Sequence, residues 1–163
     1  MKTLAVLAAL LASQPAAADW VFNQPEDPFA DAPMNVAMSI DNSGYAAGFR
    51  CTGPSDLEMV FITPEKVSST LGINALKPSI ALVVDATPKL ALPAVAVASN
   101  DGSKLLFVTS GADAMAAYVT AVAAKKRFAL GVQMLTEIIH RNVFNVRGST
   151  KVLKTLKDNC KLP

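Results

Sequence analysis

The chain has 163 residues, 52% of them apolar, with 15 lysines and arginines against 13 acidic residues for a formal net charge of +2. So small a charge, without basic and aromatic residues interleaved, argues against nucleic acid as a partner. Two cysteines and one histidine are too few for a zinc cluster, and the cysteine spacing is not that of a CxxC redox motif, so no metal and no cofactor is expected.

The opening "MKTLAVLAALLASQPAAADW" carries Lys2, an apolar run over residues 4–11 and the small-residue site Ala16-Ala17-Ala18. That is the order of a secretory signal peptide over residues 1–18, and its apolar run is too short to span a bilayer. A core helix is the competing reading, disfavoured by the charge, the run length and the cleavage pattern. No cysteine follows the cleavage site, so no lipid anchor is expected. The later apolar stretch "IALVVDATPKLALPAVAVA" is broken by Asp85, Pro88, Lys89 and Pro93 and cannot lie as one helix in hydrocarbon, so no membrane anchor is expected either. Residues 19–163 then make one domain in the periplasm, with secretion as the alternative.

Asp41-Asn42-Ser43-Gly44 separates "MNVAMSI" from "YAAGFRC" and predicts a hairpin. "DLEMVFI" predicts a third strand with Leu57, Met59 and Phe61 on one face, ended by Pro64, and residues 65–78 read as a connection with at most a short helical turn. A strand over residues 79–86, a turn at Thr87-Pro88 and a second run over residues 90–98 follow. Asp101-Gly102 then turns the chain into "KLLFVTS". The short connections favour an antiparallel meander.

At residue 112 the period changes. Ser110 and Asp113 resemble a capping box, and Met115, Tyr118, Val119 and Val122 fall on one face of a helix reaching about residue 126, with Lys125, Lys126 and Arg127 at its C-terminal end. Two strands follow, "FALGVQML" and "IIHRNVFNV". The closing "STKVLKTLKDNC" predicts a helix capped by Ser149 or Thr150, with Leu153, Leu156 and Cys160 inward and Lys151, Lys154, Lys157 and Lys161 on the other side. The fold expected is α+β: an antiparallel sheet or sandwich-like meander with two helices packed on it and one disulfide.

In an oxidising compartment the simplest state of Cys51 and Cys160 is a disulfide; two buried thiols or an intermolecular bond are the alternatives. Such a bridge would pin the last helix to the first hairpin. His140 is the sole histidine and a formal candidate for a general base, but no serine or aspartate stands beside it, and a structural or solvent-facing ring is expected. Glu26, Asp27 and Asp31 read as a solvated arm rather than an acid–base pair or a calcium loop. Trp20, Phe22 and Phe29 are expected to cap the core. No catalytic residue is assigned. Residues 19–65 carry Arg50 as their lone cation, whereas the chain from Lys125 onward is strongly basic. Either two electrostatically distinct faces or mutual neutralisation would follow.

Trp20, the acidic "EDPFAD", "GFRC" at a strand end, a Val-Val-Asp strand, a helix before another strand and the closing "FNVRGSTKVLKTLKDNC" together resemble the small periplasmic proteins associated with type VI secretion (TagO-like). Arg50, Cys51, Gly148, Leu156 and Cys160 carry the likeness, while the central strands and the alanine-rich helix depart from it. The resemblance implies a secretion-linked accessory role in the envelope. A non-enzymatic protein is expected, binding another envelope protein or an anionic envelope polymer, with Lys151, Lys154 and Lys157 as the docking ridge. The alternative is an inhibitor that plugs an enzyme cleft with the loop over residues 63–78. If the leader reading is right, the intact mass of the exported protein corresponds to a chain beginning at Asp19; a mass that retains residues 1–18 counts against it.

Overall fold

Strand signals in this chain come from alternation, and the structure sorts them into two layers. The computed structural model describes residues 19–25 and 32–163. The expected leader, the carboxylates Glu26, Asp27 and Asp31, and Phe29 lie outside the described residues. In order the elements are β1 (Trp20–Asn23), β2 (Asn35–Ile40), β3 (Ala46–Cys51), β4 (Glu58–Thr63), α1 (Leu71–Ala75), β5 (Ser79–Val84), β6 (Leu90–Pro93), β7 (Val95–Ala98), β8 (Leu105–Ser110), α2 (Gly111–Val122), β9 (Phe128–Met134), β10 (Glu137–Phe144) and α3 (Ser149–Cys160). The strands form two antiparallel sheets, one of six in the order β1-β2-β3-β4-β8-β7 and one of four in the order β10-β9-β5-β6. The α+β class with helices on antiparallel sheets holds. No helix of the described residues is long and apolar enough to cross a membrane.

The first hairpin, the third strand and the Asp101-Gly102 turn fall where the alternation puts them. The apolar run over residues 90–98 is instead two strands in different sheets. Pro93 pairs with Ser79 at the edge of the smaller sheet, where its missing N–H costs nothing. The Ala94 N–H donates to the Pro78 carbonyl at 3.0 Å, and β7 then joins β8 in the larger sheet. The chain therefore crosses between layers rather than meandering in one.

The larger sheet's inner face carries Ala37, Ala47, Phe49, Met59, Phe61 and Phe107, all fully buried. Each buried aromatic or large aliphatic side chain contributes about 1.5–3 kcal/mol. The face is covered at one end by α2 and α3 and at the other by the smaller sheet. Helix α2 ends at Val122, earlier than its periodicity predicts, and its inward face is Ala114, Ala117, Tyr118 and Ala121, while Val119 is 62% exposed. Small residues let the helix lie close to the sheet, and close approach outweighs side-chain size in choosing the face. Ser110 makes no capping bond through its side chain. Tyr118 then reaches past the alanines, rests edge-on against Phe49 and donates its hydroxyl to the Leu153 carbonyl at 2.8 Å, linking α2 to α3.

Helix α3 starts after Gly148, not after Ser149 or Thr150: Gly148 sits at φ +78°, a conformation glycine adopts without strain, and Ser149 is buried inside the first turn. Leu153, Leu156 and Cys160 face inward as the stripe predicts. Cys160 bridges Cys51 at the end of β3, with Cα atoms 6.1 Å apart and a sequence separation of 109. Cross-linking so long a loop stabilises by about 4–5 kcal/mol in the chain-entropy account. The unreduced protein should show no titratable thiol in denaturant, and Cys160→Ala should lower the unfolding free energy by about 2–5 kcal/mol in urea melts. Two reactive thiols, or an unchanged melt, contradict the bridge.

Candidate binding surfaces

Both sheets turn an uncovered face outward, and the two faces differ in chemistry. On the larger sheet the outward residues line up in register across the strands. One row runs Val21, Met38, Gly48, Val60, Val108, Val95; the next runs Ile40, Ala46, Ile62, Leu106, Val97. Val60 and Ala46 at the centre are closed to solvent, while Val21, Ile40, Val95 and Val97 are between 43% and 57% exposed. Gly48 is required there: a Cβ would lie 2.0 Å from the Ala37 carbonyl oxygen of β2. At the margin of this face Arg50 pairs with Glu58 across β3 and β4 at 2.6 Å, so the two charges cancel. The result is an apolar, uncharged strip about 24 Å across six strands, wider than the scattered single exposures of ordinary surfaces.

The smaller sheet's outward face is a groove of about 620 Å³, lined by Ala81, Val83, Ala129 and Val143 and by Lys89 and Arg141. A bulge shapes it. Between Ile139 and Asn142 the pairing of β10 with β9 slips, and His140 takes φ +48°. The extra residue sends Arg141 outward over Gly131, where a Cβ would lie 2.5 Å from Ile138 Cγ2 and 3.5 Å from Arg141 Cγ. The same slip turns His140 inward, with its side chain only 12% exposed. Its ring tilts against Phe107 at 6.4 Å, and Nδ1 lies 3.6 Å from a carboxylate oxygen of Glu65. His140 thus sits at a bulge, and the carboxylate beside it comes from the loop after β4, beyond the reach of local sequence. Among the described residues no group of three or more acidic, cysteine or histidine side chains could hold a metal ion.

Two residues past Val83, Asp85 at φ +50° accepts the backbone N–H groups of Lys125, Lys126 and Arg127 at 2.8–2.9 Å. These residues form a turn after α2 rather than its last helical turn; the side chains of Lys125 and Lys126 are exposed, and the Arg127 guanidinium donates to the Asp85 carbonyl. Those backbone hydrogen bonds, helped by the Lys126 charge, hold the Asp85 carboxyl below its ordinary range. Asp101 uses the same device in the β7–β8 turn, where the Ser103 N–H and the Ser99 hydroxyl bring it to about 2.

The predicted lysine ridge is only partly open. Lys151 and Lys154 are exposed on α3, whereas Lys157 is half-buried and donates its ammonium to the Pro163 carbonyl at 2.7 Å. The loop expected to plug a cleft is pinned at several points. The Val67 N–H bonds to the Gly102 carbonyl, and Asn74 both donates to and accepts from the backbone of Ala96 on edge strand β7. Leu71 at its crest is 81% exposed. Comparison of the chain with family models, with curated proteins and with solved structures returns no match.

A carboxyl whose folded pKa is depressed stabilises the fold above its unfolded pKa and loses that contribution as pH falls through the folded value. The melting midpoint of Asp85→Asn should therefore lie below that of the unsubstituted protein at neutral pH. The gap should narrow through the acid range and close once the native carboxyl is protonated. A gap that is constant with pH would show that the charge is not what holds the 125–127 turn.

Proposed function

We propose that this is an exported, non-enzymatic binding protein of the cell envelope whose partner is another protein, docked on the outer face of the six-stranded sheet. The observation that carries this reading is the pair of unbroken apolar rows across that sheet, with the charges at its margin, Arg50 and Glu58, paired to each other. A strip of that kind matches an apolar protein surface and offers nothing to a polyanion. The disulfide agrees with an oxidising compartment, periplasmic or extracellular. The five residues on which the type VI secretion likeness rests lie at the anchorage of α3: Arg50 and Cys51 end β3, Gly148 starts the helix, and Leu156 and Cys160 belong to its buried stripe. Their position supports a shared frame, and the secretion-linked role is proposed on that likeness.

A second reading is favoured by one observation: the loop before β5 is held at Val67 and Asn74 and raises an 81% exposed Leu71 above its surroundings. A preordered loop with one apolar tip is what a cleft-plugging inhibitor needs. One experiment separates the two. A photo-crosslinking side chain at Val97 or Ile40 in cells should capture one defined envelope protein, and Val97→Glu with Ile40→Glu should abolish its binding while moving the melting midpoint by no more than about 4 °C. Capture only from position 71, lost in Leu71→Asp, would favour the inhibitor. Capture of anionic polymer, or of nothing, from all three positions would overturn both.

A further inference from the structure

We infer that the outer groove of the four-stranded sheet is a binding site for a small, free amphipathic anion: a single-chain carboxylate with an apolar tail. The reading is independent of the protein-docking face, which lies on the other sheet.

Two observations fix the head of the ligand. Lys89 Nζ is drawn across the sheet to Gln133 Oε1 at 3.0 Å, and Arg141 Nε donates to the Ile138 carbonyl at 2.8 Å. Ile138 and Gln133 are register partners on β10 and β9, so both cations converge on one row of the sheet. Lys89 keeps two further donors and Arg141 both terminal nitrogens of its fork. Among the described residues the ion pairs are Arg50 with Glu58, His140 with Glu65 and Arg147 with Asp19, which leaves Lys89 and Arg141 without a carboxylate. A carboxylate seated between them would be met by charge-assisted hydrogen bonds from two sides.

The tail follows from the rows beyond. Moving along β9 from Gln133, the outward positions are Gly131 and then Ala129, which pairs with Val83 on one side and Val143 on the other. The rows of Gln133 and Ala129 are four residues apart, roughly 13 Å of strand, the length of an extended chain of about ten carbons, and the Ile138 side chain over Gly131 supplies apolar surface between them. Ala81 and Ala129 carry the floor, the Ile138 side chain packs over Gly131 as part of it, and Val143, 62% exposed, forms a wall. The volume of about 620 Å³ is that of a small-molecule site. An apolar floor with polar groups converging at one end is the layout such sites share. A purely neutral tail would leave the two cations unused, and a purely polar anion would leave the floor bare.

The test uses the oxidised protein with decanoate as the probe, followed by calorimetry and by backbone amide shifts. Decanoate should bind saturably at one site, with the largest shifts at Val83, Ala129 and Val143, and decanol should bind about tenfold more weakly. Lys89→Gln with Arg141→Gln should cut decanoate affinity by about tenfold or more while leaving decanol unchanged. A second variant, Ala129→Phe, fills the tail end without touching either cation and should weaken decanoate and decanol alike. Val97→Glu on the other sheet should leave both unchanged. No saturable binding overturns the inference. So do equal affinities for decanoate and decanol, charge variants that bind as before, shifts centred on Val95 and Val97, or binding to anionic lipid vesicles without binding to decanoate.

Discussion

A chain of aromatic rings passes between the two sheets, and the rest of the architecture depends on it. Tyr45 stacks on Phe61 of the larger sheet, Phe61 meets Phe144 of the smaller sheet edge-on at 6.3 Å, Phe144 touches Phe128, and Phe128 meets Trp20 back in the larger sheet at 5.4 Å. Such ring pairs add about 0.5–1.5 kcal/mol each beyond the area they bury. The Trp20 indole N–H also donates to the Asn145 carbonyl at 2.8 Å, which fixes β1 to the segment leading into α3. The smaller sheet reaches only part of the larger one, so α2 and α3 cover the remainder of the inner face. With the inner faces committed to each other and to the helices, the margins of both outer faces stay exposed, at Val21, Ile40, Val95 and Val97 on one sheet and Val143 on the other.

The disulfide acts on the part that the rings do not reach. Helix α3 packs beside β1 and β2, and its inward contribution is Leu153, Leu156 and Cys160 with Val152 partly buried beside them. A twelve-residue helix with so few apolar contacts is marginal by itself. The covalent tie to β3, the buried Tyr118 hydroxyl bond to Leu153 and the left-handed glycine at its start compensate. That is why the positions carrying the type VI secretion likeness describe how a helix is held and say little about what is bound.

Elements whose side chains alternate between apolar and polar are legible in the amino-acid order alone. The first hairpin, β4, β8, β9 and the inward stripe of α3 follow directly from period and turn chemistry. The division of residues 90–98 is not legible, because "LALPAVAVA" is apolar throughout and the change of sheet at Ala94 is decided by what Pro78 and β8 offer as partners. The face of α2 departs from its periodicity for a related reason: hydropathy ranks Val119 above Ala117, whereas a helix pressed against a sheet selects for small volume. The groove depends on Gly131 and on a bulge at His140. Neither is marked in sequence except by a glycine inside a strand pattern, which is a signal of close approach or bulging and could have pointed to it. Glu65 and Phe107 come to His140 from distant parts of the chain, and no local pattern encodes that meeting.

The opposed charges of the two halves meet at the ends of the sheets and stay apart elsewhere. Where the ends meet, Asp19 lies 3.8 Å from Arg147, Glu65 faces the His140 ring, and Asn142 donates to Asp41 at 2.7 Å. These contacts use the acidic N-terminal half on the inner and end surfaces of the sandwich. The outer face of the smaller sheet lies beyond their reach, and the acid beside it, Asp85, is occupied by the three backbone N–H groups of the 125–127 turn. Lys89 and Arg141 consequently flank an apolar floor without an opposing carboxylate among the pairs formed, while Lys125, Lys126 and Arg127 border a separate hollow with Asp85. Charge that a fold could have cancelled internally, as it does at the sandwich ends, is here kept outward and unmatched beside apolar surface, and a ligand that is both greasy and anionic is the chemistry that satisfies both at once.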